Sequence, residues 1–424
     1  MRDVKRYSQA AVLMVAAILS TNLLAQEQPA AVTLSTIYSF AGTDGLGPDG
    51  SLVMDKTGAL YGVTYLGGTL GFGSVFQLIP PAVAGGAWTE NVLYSFTGGT
   101  DGNHPYGALA INTKGDVYGS TEQGGTVNAA CPNGCGVVFE LAPPATEGGA
   151  WTETVLYSFT GATDGGTPNG ALALKGTSLY GTTPIGGTSG HGSVFELAPP
   201  TKKGHPWTHS LLYSFAAGTD GADPAAGVVF NKSGALFGTT NGGGVSNAGT
   251  VFELAPPAVA GGAWTETVLY SFEDGSDGAF PGAGLVFDTK GALYGTAEFG
   301  GAANDGTVFQ LKPPAETGSP WTFAVLHAFA GTDGANSYGG LVVTTSGVVY
   351  GTTLLGGQYG YGTIFELTPP KKGTTWTETV LYSFSLANDG GNPSAGILLK
   401  GTTAYGTTDN GGISAGGTVF ELVL

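Results

Sequence analysis

The chain has 424 residues and a formal charge of -17, with 76 glycines and only 11% charged residues. Beyond Arg6 it carries eleven lysines and no arginine. A surface so acidic, without the planar fork that grips phosphates, excludes nucleic acid as a natural partner.

The first segment in chain order has a basic start (Arg2, Lys5, Arg6), an apolar run from Ala10 to Leu19 and small residues up to Ala25. This pattern predicts a cleavable secretory signal over 1–25, with 26–424 as the mature domain. Removing it takes away three basic residues and one acid, so the charge moves from -17 to -19. Its apolar core is too short to span a bilayer, and no later stretch is longer. The expectation is an exported protein, periplasmic or extracellular, without a membrane span or a recognisable C-terminal anchor.

From Thr33 onward the chain repeats one unit. Tyr-Ser-Phe begins at Tyr38, Tyr94, Tyr157, Tyr213, Tyr270 and Tyr382, and His327-Ala328-Phe329 fills the remaining place. An Asp-Gly pair follows each copy, with the aspartates at Asp44, Asp101, Asp164, Asp220, Asp277, Asp333 and Asp389. Next come an aromatic-Gly pair (Tyr61, Tyr118, Tyr180, Phe237, Tyr294, Tyr350, Tyr405) and a Val-Phe-Glu-Leu strand centred on Phe76, Phe139, Phe195, Phe252, Phe309, Phe365 and Phe420. Each unit holds four short alternating runs bounded by turn residues, and none has helical spacing.

Seven such units predict an all-β fold, a seven-bladed propeller of four-stranded blades, as in kelch and WD-type repeats. The chain starts with an orphan strand, Thr33 to Phe40, and stops one strand short in its last unit. Pairing these ends closes the ring and removes free sheet edges. A β-solenoid or stacked sandwiches would leave the two truncations unexplained. The predicted blades are approximately 45–96, 102–159, 165–215, 221–272, 278–329, 334–384, and 390–424 completed by 32–40.

The combined motif resembles the GloVer tandem repeat: Gly234 to Thr240, Gly242-Gly243 and Gly249 to Pro257 are clear copies, followed by Trp-Thr-Glu and Leu-Tyr-Ser-Phe. The resemblance spans the mature chain. It implies a bacterial exported repeat protein related to surface proteins whose anchors vary, and it brings no defining catalytic residues.

A residue present in every blade serves the blade, so the seven Asp-Gly aspartates are read as turn residues accepting backbone amides. A calcium ring built from them would need converging oxygens, and no Asp-x-Asp-x-Asp-Gly loop is present. Function is sought where blades differ. The pair before each Gly-Gly changes from blade to blade, which nominates Tyr65, Glu122, Asn241, Glu298, Phe299 and Asp409 as a ligand-binding face; solvated loop variation is the plain alternative. Cys131 and Cys135 flank Pro-Asn-Gly in the one lengthened unit, and in an oxidising compartment this spacing predicts a local disulfide. The five histidines are scattered, with His205 and His209 read as surface residues, and no metal motif stands out.

Three functions remain open. The first, favoured by the regular blades, is a monomeric, non-catalytic propeller binding a protein or glycan. The second is a secreted lactonase, lyase or glycan hydrolase, which requires at least three ionisable side chains converging at the propeller mouth with shifted pKa values. The third is a structural surface or matrix protein, which requires an exposed apolar patch.

Overall fold

The computed structural model describes residues 32–424 except 84, 147, 260 and 317; the proposed signal segment lies outside them. The described residues form seven antiparallel sheets arranged as a propeller. Blades 1 to 6 occupy residues 46–95, 103–158, 173–214, 229–271, 286–328 and 342–383. Blade 7 combines the three strands of 398–423 with Thr33–Ser39 from the start of the chain. Thr33 pairs with Val423 and Ser39 with Thr418, so the first strand is the outer strand of the last blade and closes the ring.

Repetition of the sequence has a local cause in each blade. The outer strand carries one bulge, between Val155 and Tyr157 in blade 2 and at the equivalent place in the others. The unpaired residue lets Leu156 turn into the core while the following tyrosine keeps its place at the blade edge. Phenylalanines from the Tyr-Ser-Phe and Val-Phe-Glu-Leu motifs then meet in pairs between neighbouring blades. Phe96 with Phe139 and Phe215 with Phe252 both have ring centroids 5.2 Å apart, edge to face, and all four are fully buried.

The Asp-Gly turns tie each seam. Six tyrosines (Tyr38, Tyr94, Tyr157, Tyr213, Tyr270, Tyr382) donate their hydroxyls to Asp44, Asp101, Asp164, Asp220, Asp277 and Asp389 at 2.6 to 3.1 Å. In the seventh seam His327 Nε2 lies 2.9 Å from Asp333 Oδ2. Every one of these carboxylates also accepts a backbone amide three or four residues away, as Thr97 donates to Asp101 at 2.8 Å. Across the seam the outer strand of the next blade presents Glu90, Glu153, His209, Glu266, Phe323, Glu378 or, from the closing strand, Leu34. His209 is therefore no surface residue: its ring stacks on Tyr157 at 4.7 Å. Its strand alternates, and the position two after Trp207 faces the seam rather than solvent. His205 is exposed.

Candidate site at the channel mouth

The connection from each Asp-Gly turn to the inner strand crosses the propeller mouth in a fixed conformation. The residue three after each aspartate is left-handed: Gly47, His104, Thr167, Asp223, Phe280, Asn336 and Asn392 have φ between 54° and 59°. Only one of the seven is glycine, so six side chains are held in a sparsely populated region by surrounding contacts. The contact is a backbone hydrogen bond to the preceding blade, such as His104 N to Phe72 O at 3.1 Å or Asn392 N to Tyr361 O at 2.7 Å.

Two residues further on, the chain lines the central channel. These positions are Asp49, Tyr106, Asn169, Ala225, Gly282, Tyr338 and Ser394, and they line a cavity of ≈ 560 Å³ whose walls are otherwise mostly glycine, alanine and short aliphatics. No lysine or arginine lines it. Blades 6, 7, 1, 2 and 3, which are contiguous around the ring, supply the polar Tyr338, Ser394, Asp49, Tyr106 and Asn169, whereas blades 4 and 5 supply only Ala225 and Gly282. A nearly sevenfold scaffold thus carries a one-sided polar site.

At its centre Ser394 Oγ lies 2.6 Å from Asp409 Oδ1 and 3.1 Å from Asp49 Oδ1. Asp49 is also hydrogen-bonded to Tyr106. A hydroxyl has one proton to donate. Both contacts of Ser394 are hydrogen bonds only when one of the two carboxyls keeps its own proton. The electrostatics agree in direction: burial raises both carboxyls, and the charge of Asp49 drives Asp409 higher still. Hydrogen bonds from Ser394, the Gly50 amide and Tyr106 restrain the rise at Asp49.

A second layer surrounds this pair. Tyr65 donates to Glu122 Oε2 at 2.9 Å, stacks on His104 with centroids 4.3 Å apart, and meets Tyr106 edge-on at 6.1 Å. Burial depresses the His104 pKa, favouring a neutral imidazole, and its Nδ1 has no hydrogen-bond partner. A groove of ≈ 330 Å³ lined by Leu46, Asp49, Tyr65, Asp409 and Asn410 runs from the pair onto the face between blades 7 and 1.

Of the six residues nominated from the sequence, Asp409 is one of this pair, and Tyr65 and Glu122 lie beside it. Glu298 is bonded to Tyr338 on the flank. Phe299 packs edge-on against Phe280 at 6.0 Å. The Asn241 side-chain oxygen is buried without a partner, and the residue lines neither cavity. Sequence reading missed Asp49, His104, Tyr106, Tyr338 and Ser394. The signal was available: they stand three or five residues after the repeat aspartate, at positions that vary as strongly as the Gly-Gly flanks. On this same face Cys131 and Cys135 form a disulfide, and the Cys135 carbonyl accepts the Thr167 amide at 2.7 Å.

Among solved structures the chain is similar to virginiamycin B lyase from Staphylococcus aureus, with 13% identity over 93% of this chain and 99% of that one, at a TM-score of 0.53. It is also similar to an ulvan lyase of polysaccharide lyase family PL25, bound to -[GlcA(1-4)Rha3S]-, with 11% identity over 90% and 95% of the chains and a TM-score of 0.51. At such identities the likeness concerns the fold. No curated protein matches the sequence. The model of the Gloeobacter/Verrucomicrobia repeat matches residues 23–146, 129–309 and 284–424, so with its seven blades the chain belongs to that repeat family.

Proposed function

We propose that this protein is an exported, monomeric propeller that binds an uncharged glycan at the polar side of its channel mouth and cleaves it by acid–base chemistry. The carrying observation is the Ser394 hydroxyl held between the carboxyls of Asp49 and Asp409. Two carboxyls bridged by one hydroxyl lie no farther apart than two hydrogen bonds, close to the roughly 5–5.5 Å at which one acts as acid and the other as nucleophile in glycoside cleavage. Asp409, the more strongly raised, is the acid that protonates the leaving oxygen as the Asp49 carboxylate bonds to the anomeric carbon and the glycosidic bond breaks. Water, giving a proton back to Asp409, then hydrolyses the glycosyl ester and frees Asp49. Tyr65, Tyr106 and Tyr338 offer ring faces and hydroxyls suited to sugar binding. An anionic substrate such as a uronate polymer is disfavoured, because no cationic side chain lines the cavity to neutralise it.

The convergence of shifted ionisable groups at the mouth is the feature that separates a catalytic propeller from a passive one. Blade regularity still favours a second reading, a binder that holds the same glycan without cleaving it. The test is a screen of neutral and acidic polysaccharides for binding and for release of reducing ends. Binding of a neutral glycan with cleavage abolished by Asp409→Asn supports the proposal. Binding without cleavage leaves the second reading, and a preference for uronates overturns both.

A further inference from the structure

The seam between blades 5 and 6 differs from the other six in one chemical respect. There the hydroxyl of a tyrosine is replaced by an imidazole. His327 Nε2 faces Asp333 Oδ2 at 2.9 Å, and Glu378 enters from the outer strand of blade 6. One ligand atom from each of the three residues lies within 4.8 Å of the others, and no second group of this kind occurs among the described residues. The side chains of His327 and Asp333 are 20% and 23% exposed, so the cluster can be reached from solvent without being freely hydrated.

We propose that His327, Asp333 and Glu378 form a binding site for a divalent first-row transition ion of the Zn2+ class, clamping blade 5 to blade 6. One neutral imidazole and two carboxylates make a donor set suited to such ions, whereas calcium and magnesium prefer oxygen alone. Ligand atoms about 2.1 Å from a tetrahedral ion sit roughly 3.4 Å from one another, so the 2.9 Å pair would open by about half an ångström and the Glu378 oxygen, within 4.8 Å of both, would close by up to about 1.4 Å. Glu378 Oε1 is withdrawn from solvent and has no hydrogen-bond partner, so it is an acceptor free for a cation. Glu90, Glu153 and Glu266 leave the same oxygen unpartnered in their seams, but there a tyrosine stands in place of the imidazole and only two carboxylates face each other. The imidazole supplies the third donor. Nε2 would coordinate through its lone pair, as a neutral imidazole does, while water completes the coordination.

The natural control is His327→Tyr, which installs the residue that six other seams already accommodate and so preserves folding. Untagged protein is stripped with a chelator and titrated with Zn2+ by calorimetry, with Co2+ absorption as a reporter of mixed nitrogen and oxygen ligation. The expected result is one equivalent of Zn2+ bound at micromolar affinity or tighter, with a raised thermal midpoint. Affinity should fall at least 100-fold in His327→Tyr and at least tenfold in Glu378→Gln. Absence of binding to the wild type at 100-fold excess over the protein, or unchanged binding in His327→Tyr, overturns the proposal.

Discussion

The ring of Phe252 lies directly over the α-carbon of Gly238, so close that a β-carbon at Gly238 would stand 2.6 Å from Cζ and 3.2 Å from Val228. Equivalent glycines lie under Phe76, Phe139, Phe195, Phe309, Phe365 and Phe420. This is the physical reason the aromatic-Gly and Val-Phe-Glu-Leu motifs recur together: the second strand must be bare where the third lays its phenylalanine down. Gly238 has ordinary backbone angles, so the constraint is steric. Gly238→Ala should therefore destabilise by about 1–3 kcal/mol, as overpacked core sites do. Phe252→Ala, which leaves a cavity, should cost about 3–5 kcal/mol. Denaturant unfolding of both variants checks the order.

Three seams hold a glutamate facing an aspartate that is already bonded to a tyrosine: Glu90 with Asp44, Glu153 with Asp101, and Glu266 with Asp220. Burial, followed by the aspartate's charge, pushes each glutamate up to about 7. A carboxyl whose folded pKa exceeds its unfolded value stabilises the fold fully below the unfolded value, near 4.5. That stability is lost as pH rises through about 7. The thermal midpoint should consequently fall between pH 5 and pH 8. Glu153→Gln should remove part of that fall, raising the midpoint at pH 8 by about 1–2 °C and leaving it nearly unchanged at pH 5. An equal shift at both pH values would contradict the assignment of the effect to this seam.

At the mouth the same sign applies to the pair bridged by Ser394. Asp49 and Asp409 are both raised, so the fold loses stability as the pair becomes doubly ionised. Asp409→Asn should raise the thermal midpoint above pH 7 while abolishing glycan cleavage, the trade that a strained functional site makes. Cleavage by the wild-type protein should decline on the alkaline side as the shared proton leaves. Ser394→Ala should separate the roles, retaining glycan binding within a few fold and lowering turnover at least tenfold. Midpoints and rates measured across pH 5 to 9 on the three proteins test this.

The propeller was legible because every blade repeats the same packing problem, and a repeated problem leaves a repeated sequence. The mouth was half legible for the same reason reversed. Glu122 and Asp409 stood out as changes beside an invariant Gly-Gly pair. Asp49 and Ser394 are equally variable, yet they sit in a short stretch that reads as turn chemistry. Their meaning depends on ring closure: Ser394 and Asp49 are 345 positions apart and become neighbours only because blade 7 abuts blade 1. His327 is the opposite case. It reads as a degenerate copy of tyrosine, and only the arrival of Glu378 from the next blade gives the change a chemical use. His209 was misjudged because an outer strand bordering solvent on one face still presents alternate residues to the seam.

Closure itself can be tested. Phe40 is fully buried against Phe76 with ring centroids 5.0 Å apart, and Thr33–Ser39 covers the edge strand Thr418–Val423. Deleting residues 32–40 would uncover that edge and empty the seam between blades 7 and 1, so the truncated chain should aggregate or lose its cooperative unfolding transition. Point damage at the closure should match damage elsewhere in the ring: Phe40→Ala and Phe96→Ala should each cost about 3–5 kcal/mol. A circular permutant is the sharper experiment. Thr33 already pairs with Val423, so moving residues 32–41 behind Leu424 through a copy of the 80–88 connection gives blade 7 the covalent order of the other six. That permutant should fold with a thermal midpoint near the wild type. A permutant that folds only as a dimer would show that the first strand is exchanged between chains rather than closing its own ring.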